Sequence, residues 1–267
     1  MTLPPLPPPK KRWGQHFLID PNIIRKIIKI AHLSSDDTVF EIGPGRGALT
    51  RYLCEQAGRV IAVELDPKLL EYLRGVCAPF HNLELHAGDA MEFPMDRLPA
   101  RTVVVANLPY YLSTPLLFRL FEARSVIQRM VVLLQREVAR RMVARPATRD
   151  YGTLSVLSQY YGDPIIAFSI RGHCFSPRPE VDSAVVCLSM HPGRVNQCHD
   201  AFFEKTVRAA FAHRRKTLTN SFRDEGWDMR CIGQALERVK MEPTRRAESM
   251  TVEEFQSLAR AIRDSQP

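Results

Sequence analysis

The sequence has few of the features that mark metal, disulfide or membrane chemistry. Its 267 residues include six cysteines, Cys54, Cys77, Cys174, Cys187, Cys198 and Cys231, with no C-x-x-C spacing among them. They are too sparse for a disulfide framework and unpaired for zinc, so free thiols in a reducing cytosol are expected. The histidines are scattered, with no H-x-E or C-x-x-C partner. That argues against metal-dependent deamination, and no metal is expected. No apolar run is long enough to span a membrane. The start, Leu3 to Pro9, is rich in proline and lacks the apolar stretch of a signal peptide. Residues 1–9 therefore read as a disordered polyproline-type tail.

Acidic residues are outnumbered, and the net charge is +8. Such an excess suits a polyanionic partner, nucleic acid or an anionic surface, although a soluble protein can also simply be basic. Apolar residues make up 45%, enough for an ordinary core in a chain of one large α/β domain with an appendage, or of two domains.

Short β-rich runs alternate with helical patterns, the signature of a parallel sheet with crossover helices. Ile23 to Ile30 is helical, after Asp20-Pro21. Thr38 to Ile42 reads as a first strand, Gly43 to Gly47 as a tight turn and Ala48 to Gln56 as a helix. Strands follow at Arg59 to Glu64, Leu83 to His86, Thr102 to Ala106 and Met130 to Leu134, and Pro67 opens a helix as an N1 proline. Ile165 to Ile170 and Ala184 to Met190 complete a seven-stranded, mostly parallel sheet as an antiparallel pair. From Ala201 only helical periodicity remains, broken near Gly226 and Pro243. The expected division is a catalytic α/β domain over 10–192 and a small all-α domain over 193–267.

Three strand ends carry groups suited to an adenosine. The turn Glu41-Ile42-Gly43-Pro44-Gly45-Arg46-Gly47 follows the first strand, where Gly43 and Gly45 let the backbone approach a ligand closely. Glu64 ends the second strand, placed to accept from two ribose hydroxyls. Gly88-Asp89-Ala90 ends the third, where Asp89 can accept from an adenine amine. NAD is the rival ligand. Yet the spacing is G-x-G-x-G rather than G-x-G-x-x-G, and no second phosphate loop follows, which favours the phosphate-free S-adenosylmethionine. Alone, Glu64 would be an ordinary capping or surface carboxylate.

Asn107-Leu108-Pro109-Tyr110 sits where the fourth strand ends. An adenine exocyclic amine is a poor nucleophile because its lone pair is delocalised into the ring. An Asn oxygen and a backbone carbonyl, with Pro109 restraining Leu108, can accept its two hydrogens and aim the nitrogen at an electrophilic methyl. Tyr110 can stack on the base. A base within RNA must be turned out to reach such a site. Phe175, in Phe175-Ser176-Pro177-Arg178-Pro179, is a candidate second ring, or else a core Phe in a proline-rich loop.

These residues resemble the ribosomal RNA small-subunit adenine-N6 dimethyltransferases of the KsgA type, from Lys11 to about Leu258. The resemblance rests on Gly14-Gln15-His16-Phe17-Leu18, the Glu41–Gly47 turn, Glu64-Leu65-Asp66, Gly88-Asp89-Ala90, Asn107 to Tyr110, and Phe175 through Ser183. It implies a Rossmann-like methyltransferase fold, with two methyl groups placed on each of two adjacent adenosines in a hairpin loop near the 3′ end of small-subunit rRNA. By position, His16, Leu18, Gly43, Gly45, Glu64, Asp89, Ala90 and Asn107 would hold S-adenosylmethionine, the region from Trp13 would lid the site, and Asn107, Leu108, Pro109, Tyr110 and Phe175 would carry catalysis. At His16 this family commonly has Asn. The implied partners are small-subunit rRNA and the immature small subunit, with no membrane and a monomeric state.

Two basic groups suit RNA phosphates. Arg214, Arg215 and Lys216, within Phe211 to Asn220, resemble this housekeeping branch rather than the macrolide-resistance branch that methylates large-subunit rRNA. Arg136 and Arg140, and Arg141 and Arg145, fall at i, i+4 spacings. Either group could instead be a solvated face. An assembly factor acting mainly by binding is the other alternative, and the intact Asn107–Tyr110 motif weighs against it.

Overall fold

The computed structural model describes residues 5–10, 14–191, 197–213 and 215–266, the side chains of 197–199 excepted. Trp13 and Arg214 lie outside the described residues. The chain packs as two compact units. One comprises Met1–Ala139 with Gly162–Pro192; the other comprises Arg140–Tyr161 with Gly193–Pro267.

The first unit is built on seven strands: β2 (Thr38–Ile42), β3 (Arg59–Glu64), β4 (Leu83–Ala87), β5 (Thr102–Asn107), β6 (Ile127–Gln135), β7 (Gly162–Ile170) and β9 (Ser183–Met190). Their order is β4-β3-β2-β5-β6-β9-β7. The first five pair in parallel, and β9 joins both β6 and β7 antiparallel. β5 is central and β-branched, and Val103, Val104 and Val105 are fully buried, as a strand covered on both faces requires. β9 lies between β6 and β7, so the antiparallel pair is formed with its later strand inside. A two-residue ribbon, β1 (Phe17–Leu18) with β8 (Phe175–Ser176), was not foreseen, because two residues carry no periodicity.

The helices of this unit begin as the sequence suggests. α1 (Pro21–Ala31) is capped by the Asp20 side chain with proline in its first turn, and α3 (Pro67–Val76) by Asp66 in the same way. α2 (Thr50–Gln56) follows the glycine turn, and α4 (Ser113–Glu122) follows Tyr110. Arg129 of β6 ties down the far end of α1. Its guanidinium donates to the carbonyls of Ala31 (3.1 Å) and His32 (3.0 Å) and to Asp37 (3.2 Å).

The second unit differs from the expected 193–267. α6 (Thr153–Tyr161) joins α7 (Gln197–Phe211), α8 (Leu218–Asp224), α9 (Met229–Arg238) and α10 (Val252–Asp264). The cause is polar as well as apolar. Tyr160 and Tyr161 donate to Asp200 (2.7 Å) and Glu204 (2.5 Å) of α7, and Tyr151 donates to the Met250 carbonyl (2.7 Å). These pairings lie at long sequence separation and leave no local pattern. α5 (Arg136–Met142) precedes α6 and ends before Arg145, so Arg141 and Arg145 do not share a helix.

Within the proline-rich start, two of the described residues are tied to the rest of the unit. Pro7 is buried and its carbonyl accepts from Arg46 at 2.8 Å. Lys10 pairs with the fully buried Asp66 at 2.8 Å.

Replacing Arg129 with Ala leaves two carbonyls at a helix end without their donor. Stability should fall by about 1–3 kcal/mol. Arg129→Lys should recover only part, because a point charge cannot reproduce the fork. Urea denaturation of the three proteins checks this, and an unchanged midpoint would refute it.

Candidate active site

Parallel strands leave their carboxyl ends on one side of the sheet, and the loops there open a cleft. Its lining takes in residues 14–18, the Glu41–Arg46 turn, Glu64, Gly88 to Ala90 and Asn107 to Leu112. All eight residues expected to hold the cofactor line it: His16, Leu18, Gly43, Gly45, Glu64, Asp89, Ala90 and Asn107. So do Leu108, Pro109 and Tyr110.

The glycine turn is possible only because of its backbone. Gly43 has φ 64° and Gly45 has φ 60°, a region that costs other residues steric strain. At Gly45 a Cβ would also lie 3.0 Å from the Phe17 ring. This conformation lets the Gly45 amide donate to Glu64 Oε2 at 3.0 Å, while Glu64 Oε1 accepts from the Asp66 amide at 2.9 Å. Glu64 is thus held rigid at the end of β3. Burial raises its pKa, opposed by those two amide bonds and reinforced by the charge of Asp66. At the end of β4, Asp89 accepts from the Met91 amide at 2.8 Å.

Glu41 was read only as part of the turn motif. It is 2% exposed and its Oε2 has no hydrogen-bond partner among the described residues. Burial, with the charge of Glu64, pushes its carboxyl from 4.5 up to about 8. An acidic residue inside the apolar strand Thr38 to Ile42 was the signal available for it.

At the end of β5 the side-chain amide of Asn107 is oriented by one bond. Its Nδ2 donates to the His16 carbonyl at 3.0 Å. Its Oδ1 is buried with no partner among the described residues. The Leu108 amide donates to the Leu133 carbonyl at 3.1 Å, which fixes the next peptide. The Tyr110 ring lies against His16, with centroids 5.2 Å apart and planes at 27°. Its hydroxyl is 2.5 Å from Ser183 Oγ. Burial holds the phenol above its ordinary pKa, so it is neutral at physiological pH. Tyr111, which sequence reasoning passed over, also lines the cleft and is half exposed.

Phe175 is elsewhere. It is 3% exposed, packs in the core with Leu18 and Cys174, and does not line the cleft. The two-residue strand β8 turns alternate side chains to opposite faces, and Phe175 takes the inward one. Its ring is therefore not offered to a base in this structure.

The basic residues are placed less simply. Arg136 belongs to the first unit and pairs with Asp182 at 3.3 Å. Arg140, Arg141 and Arg145 belong to the second. Arg215 is exposed, and Lys216 is paired with Asp224. Among the described residues no group of His, Cys, Asp and Glu could hold a metal ion, and no helix is long and apolar enough to cross a membrane.

A model of the family described as ribosomal RNA adenine dimethylase matches residues 9–264. The chain is 44% identical over 266 residues to the ribosomal RNA small subunit methyltransferase A of Moorella thermoacetica, covering 95% of this chain and 92% of that protein. It is 43% identical to the protein of that name from Pelotomaculum thermopropionicum, covering 96% and 92%. Among solved structures it resembles a dimethyladenosine transferase from Plasmodium falciparum, with TM-score 0.82 and 26% identity over 94% of this chain and 98% of that one. It also resembles the 23S rRNA methyltransferase ErmE, with TM-score 0.68 and 25% identity over 92% and 99%.

The protonated Glu41 gives a pH test. With its pKa raised from 4.5 to about 8, the folded chain keeps a proton that the unfolded chain releases. Its contribution to stability is therefore complete below 4.5 and is lost as pH rises through about 8. Melting temperatures of the ligand-free protein from about pH 5 to about pH 9 should fall more steeply for the natural chain than for Glu41→Gln. Parallel curves would show that Glu41 is not buried as a neutral acid.

Proposed function

The chain belongs to the ribosomal RNA adenine dimethylase family, and from that premise we propose that it transfers methyl groups from S-adenosylmethionine to the exocyclic amines of two adjacent adenosines in small-subunit rRNA. The target is a hairpin loop near the 3′ end of that RNA. The small-subunit methyltransferases at 44% and 43% identity favour this over large-subunit RNA.

The observation that carries the reading is the Oδ1 of Asn107, buried and without a partner among the described residues. An acceptor left unsatisfied in a buried site costs free energy unless a ligand supplies a donor. An adenine amine is such a donor. With one hydrogen on Oδ1 and the other on a backbone carbonyl of the Leu108-Pro109 segment, the nitrogen lone pair is drawn out of the ring and aimed. The Pro109 carbonyl already accepts from Leu112 (3.0 Å) and Ser113 (3.1 Å), which leaves the Leu108 carbonyl for this role. Tyr110 offers its ring to the base.

The cleft also suits the cofactor. Glu64 has two fixed oxygens for the ribose hydroxyls, Asp89 of the cleft lining suits the adenine amine, and the buried Glu41 carboxyl has an oxygen with no partner among the described residues. Glu64 and Asp89 favour a ligand with cationic centres over one with phosphates. When bound, S-adenosylmethionine supplies an electrophilic methyl on a sulfonium. His16, Leu18, Gly43, Gly45 and Ala90 shape the surrounding walls, and the chain's own work is to orient and desolvate the amine. Arg136, Arg140, Arg141, Arg145, Arg214, Arg215 and Lys216 are proposed to meet phosphates, with the helical unit as an RNA-binding domain.

Labelled methyl should pass from S-adenosylmethionine to small subunits lacking these methyl groups and appear as dimethyladenosine. Asn107→Ala should lower that rate about a hundredfold or more, the scale of losing a preorganised transition-state hydrogen bond, while RNA binding persists. Near-normal transfer by Asn107→Ala would sink the mechanism.

RNA affinity should fall steeply with salt as counterions are released, and neutralising Arg214 and Arg215 together should reduce the log–log slope by about one per charge lost. An unaltered slope would return that cluster to a solvated face.

A further inference from the structure

We propose that Ser183 is a positioning residue for the reaction, fixing the Tyr110 ring through its hydroxyl so that the stacking platform is set before RNA arrives. The inference rests on the functional reading above and extends it to a residue outside the cleft lining.

Ser183 reaches this place by topology. β5 and β6 run in parallel, so Asn107 and Gln135 both end at the cleft side of the sheet. β9 runs antiparallel, so its first residue, rather than its last, lies there. Ser183 is opposite Gln135 on one side and Ile170 on the other. It is fully buried. The preceding residue, Asp182, is held as well. Its carbonyl accepts from the Arg136 amide at 2.9 Å, and its carboxylate pairs with the Arg136 guanidinium at 3.3 Å. The Ser183 hydroxyl is therefore a fixed point, and the Tyr110 hydroxyl meets it at 2.5 Å.

The opposite flank of the ring is held by His16, stacked on it at 5.2 Å. His16 is itself anchored, because its Nδ1 lies 2.8 Å from the Pro177 carbonyl, and its own carbonyl holds Asn107. Tyr110 is thus braced at its tip and on one face. A ring with both restraints loses little further freedom when a base packs against it, the usual advantage of preorganisation. Without Ser183 the phenol tip would sit among buried groups with nothing to accept or donate, and the ring would turn to find a partner.

Four proteins test this: Ser183→Ala, Tyr110→Phe, the double variant, and Ser183→Thr, which keeps the hydroxyl. Methyl transfer to unmethylated small subunits is measured under saturating conditions, with S-adenosylmethionine affinity by calorimetry, at a temperature where thermal melts show every variant folded. Ser183→Ala and Tyr110→Phe should each lower kcat by roughly tenfold, with cofactor affinity unchanged. The double variant should be no slower than the slower single one, because both changes remove the same bond. Ser183→Thr should recover most of the rate. Wild-type kcat in Ser183→Ala, accompanied by a lower melting temperature, would make Ser183 a fold residue only. Multiplying losses in the double variant would also overturn the proposal. A natural chain that transfers no methyl would instead defeat the functional reading itself, which the other arms do not touch.

Discussion

The site depends on the hydrogen bond from Asn107 Nδ2 to the His16 carbonyl, 3.0 Å long. A carboxamide has a donating end and an accepting end of nearly the same shape, and only one orientation is useful to an amine substrate. By taking the Nδ2 end, His16 turns Oδ1 toward the cleft, where it is buried and without a partner among the described residues. The carbonyl is in place because the ribbon of Phe17 and Leu18 with Phe175 and Ser176 holds the segment against the main sheet. Two residues of strand, remote in sequence from both β5 and β9, thereby set the polarity of the site.

The same cleft carries an electrostatic cost. Glu41 and Glu64 are both buried; burial raises the pKa of each, and the charge of Glu64 raises that of Glu41 further. Folding tolerates this because Glu64 is satisfied by two backbone amides and Glu41 remains protonated at neutral pH. Such groups are poor choices for stability and good ones for binding, since a ligand with cationic and hydroxyl groups recovers the lost interactions on arrival. A dinucleotide would bring phosphates toward Glu64 and Asp89, an unfavourable pairing. The contrast gives the glycine spacing, read first as a pattern, a physical basis.

Much of the sheet could be read before the structure was known, because its strands carry dense β-branched runs bounded by turns. Thr38–Ile42 and Arg59–Glu64 end where the alternation of composition says they should. Residues at the strand ends gather in one cleft because parallel topology requires it, and this is why Gly43, Gly45, Glu64, Asp89, Ala90 and Asn107, named from four separate strand ends, meet. What was missed has no local pattern. Pro7 is buried because Arg46, far along the chain, reaches its carbonyl. The segment Arg140–Tyr161 belongs with the helices because of tyrosines whose partners lie some forty residues away or more. Arg136 and Lys216, counted as positive charges, are engaged with Asp182 and Asp224, which spacing along a helix does not reveal.

Phe175 to Ser183 shows why residue type misleads in a connecting segment. Its largest side chain invites a stacking role, yet a strand of two residues must send one side chain inward, and an aromatic gains most from burial. Phe175 goes to the core for that reason. What remains toward the site are a backbone carbonyl and a small hydroxyl: Pro177, which faces His16, and Ser183, which meets Tyr110. Neither atom stands out in a sequence, since every residue has a carbonyl and serine is common. Both restrain aromatic groups that do line the cleft. The segment thus acts on the site through its polar atoms while its aromatic ring anchors it, the reverse of the division that size alone suggests.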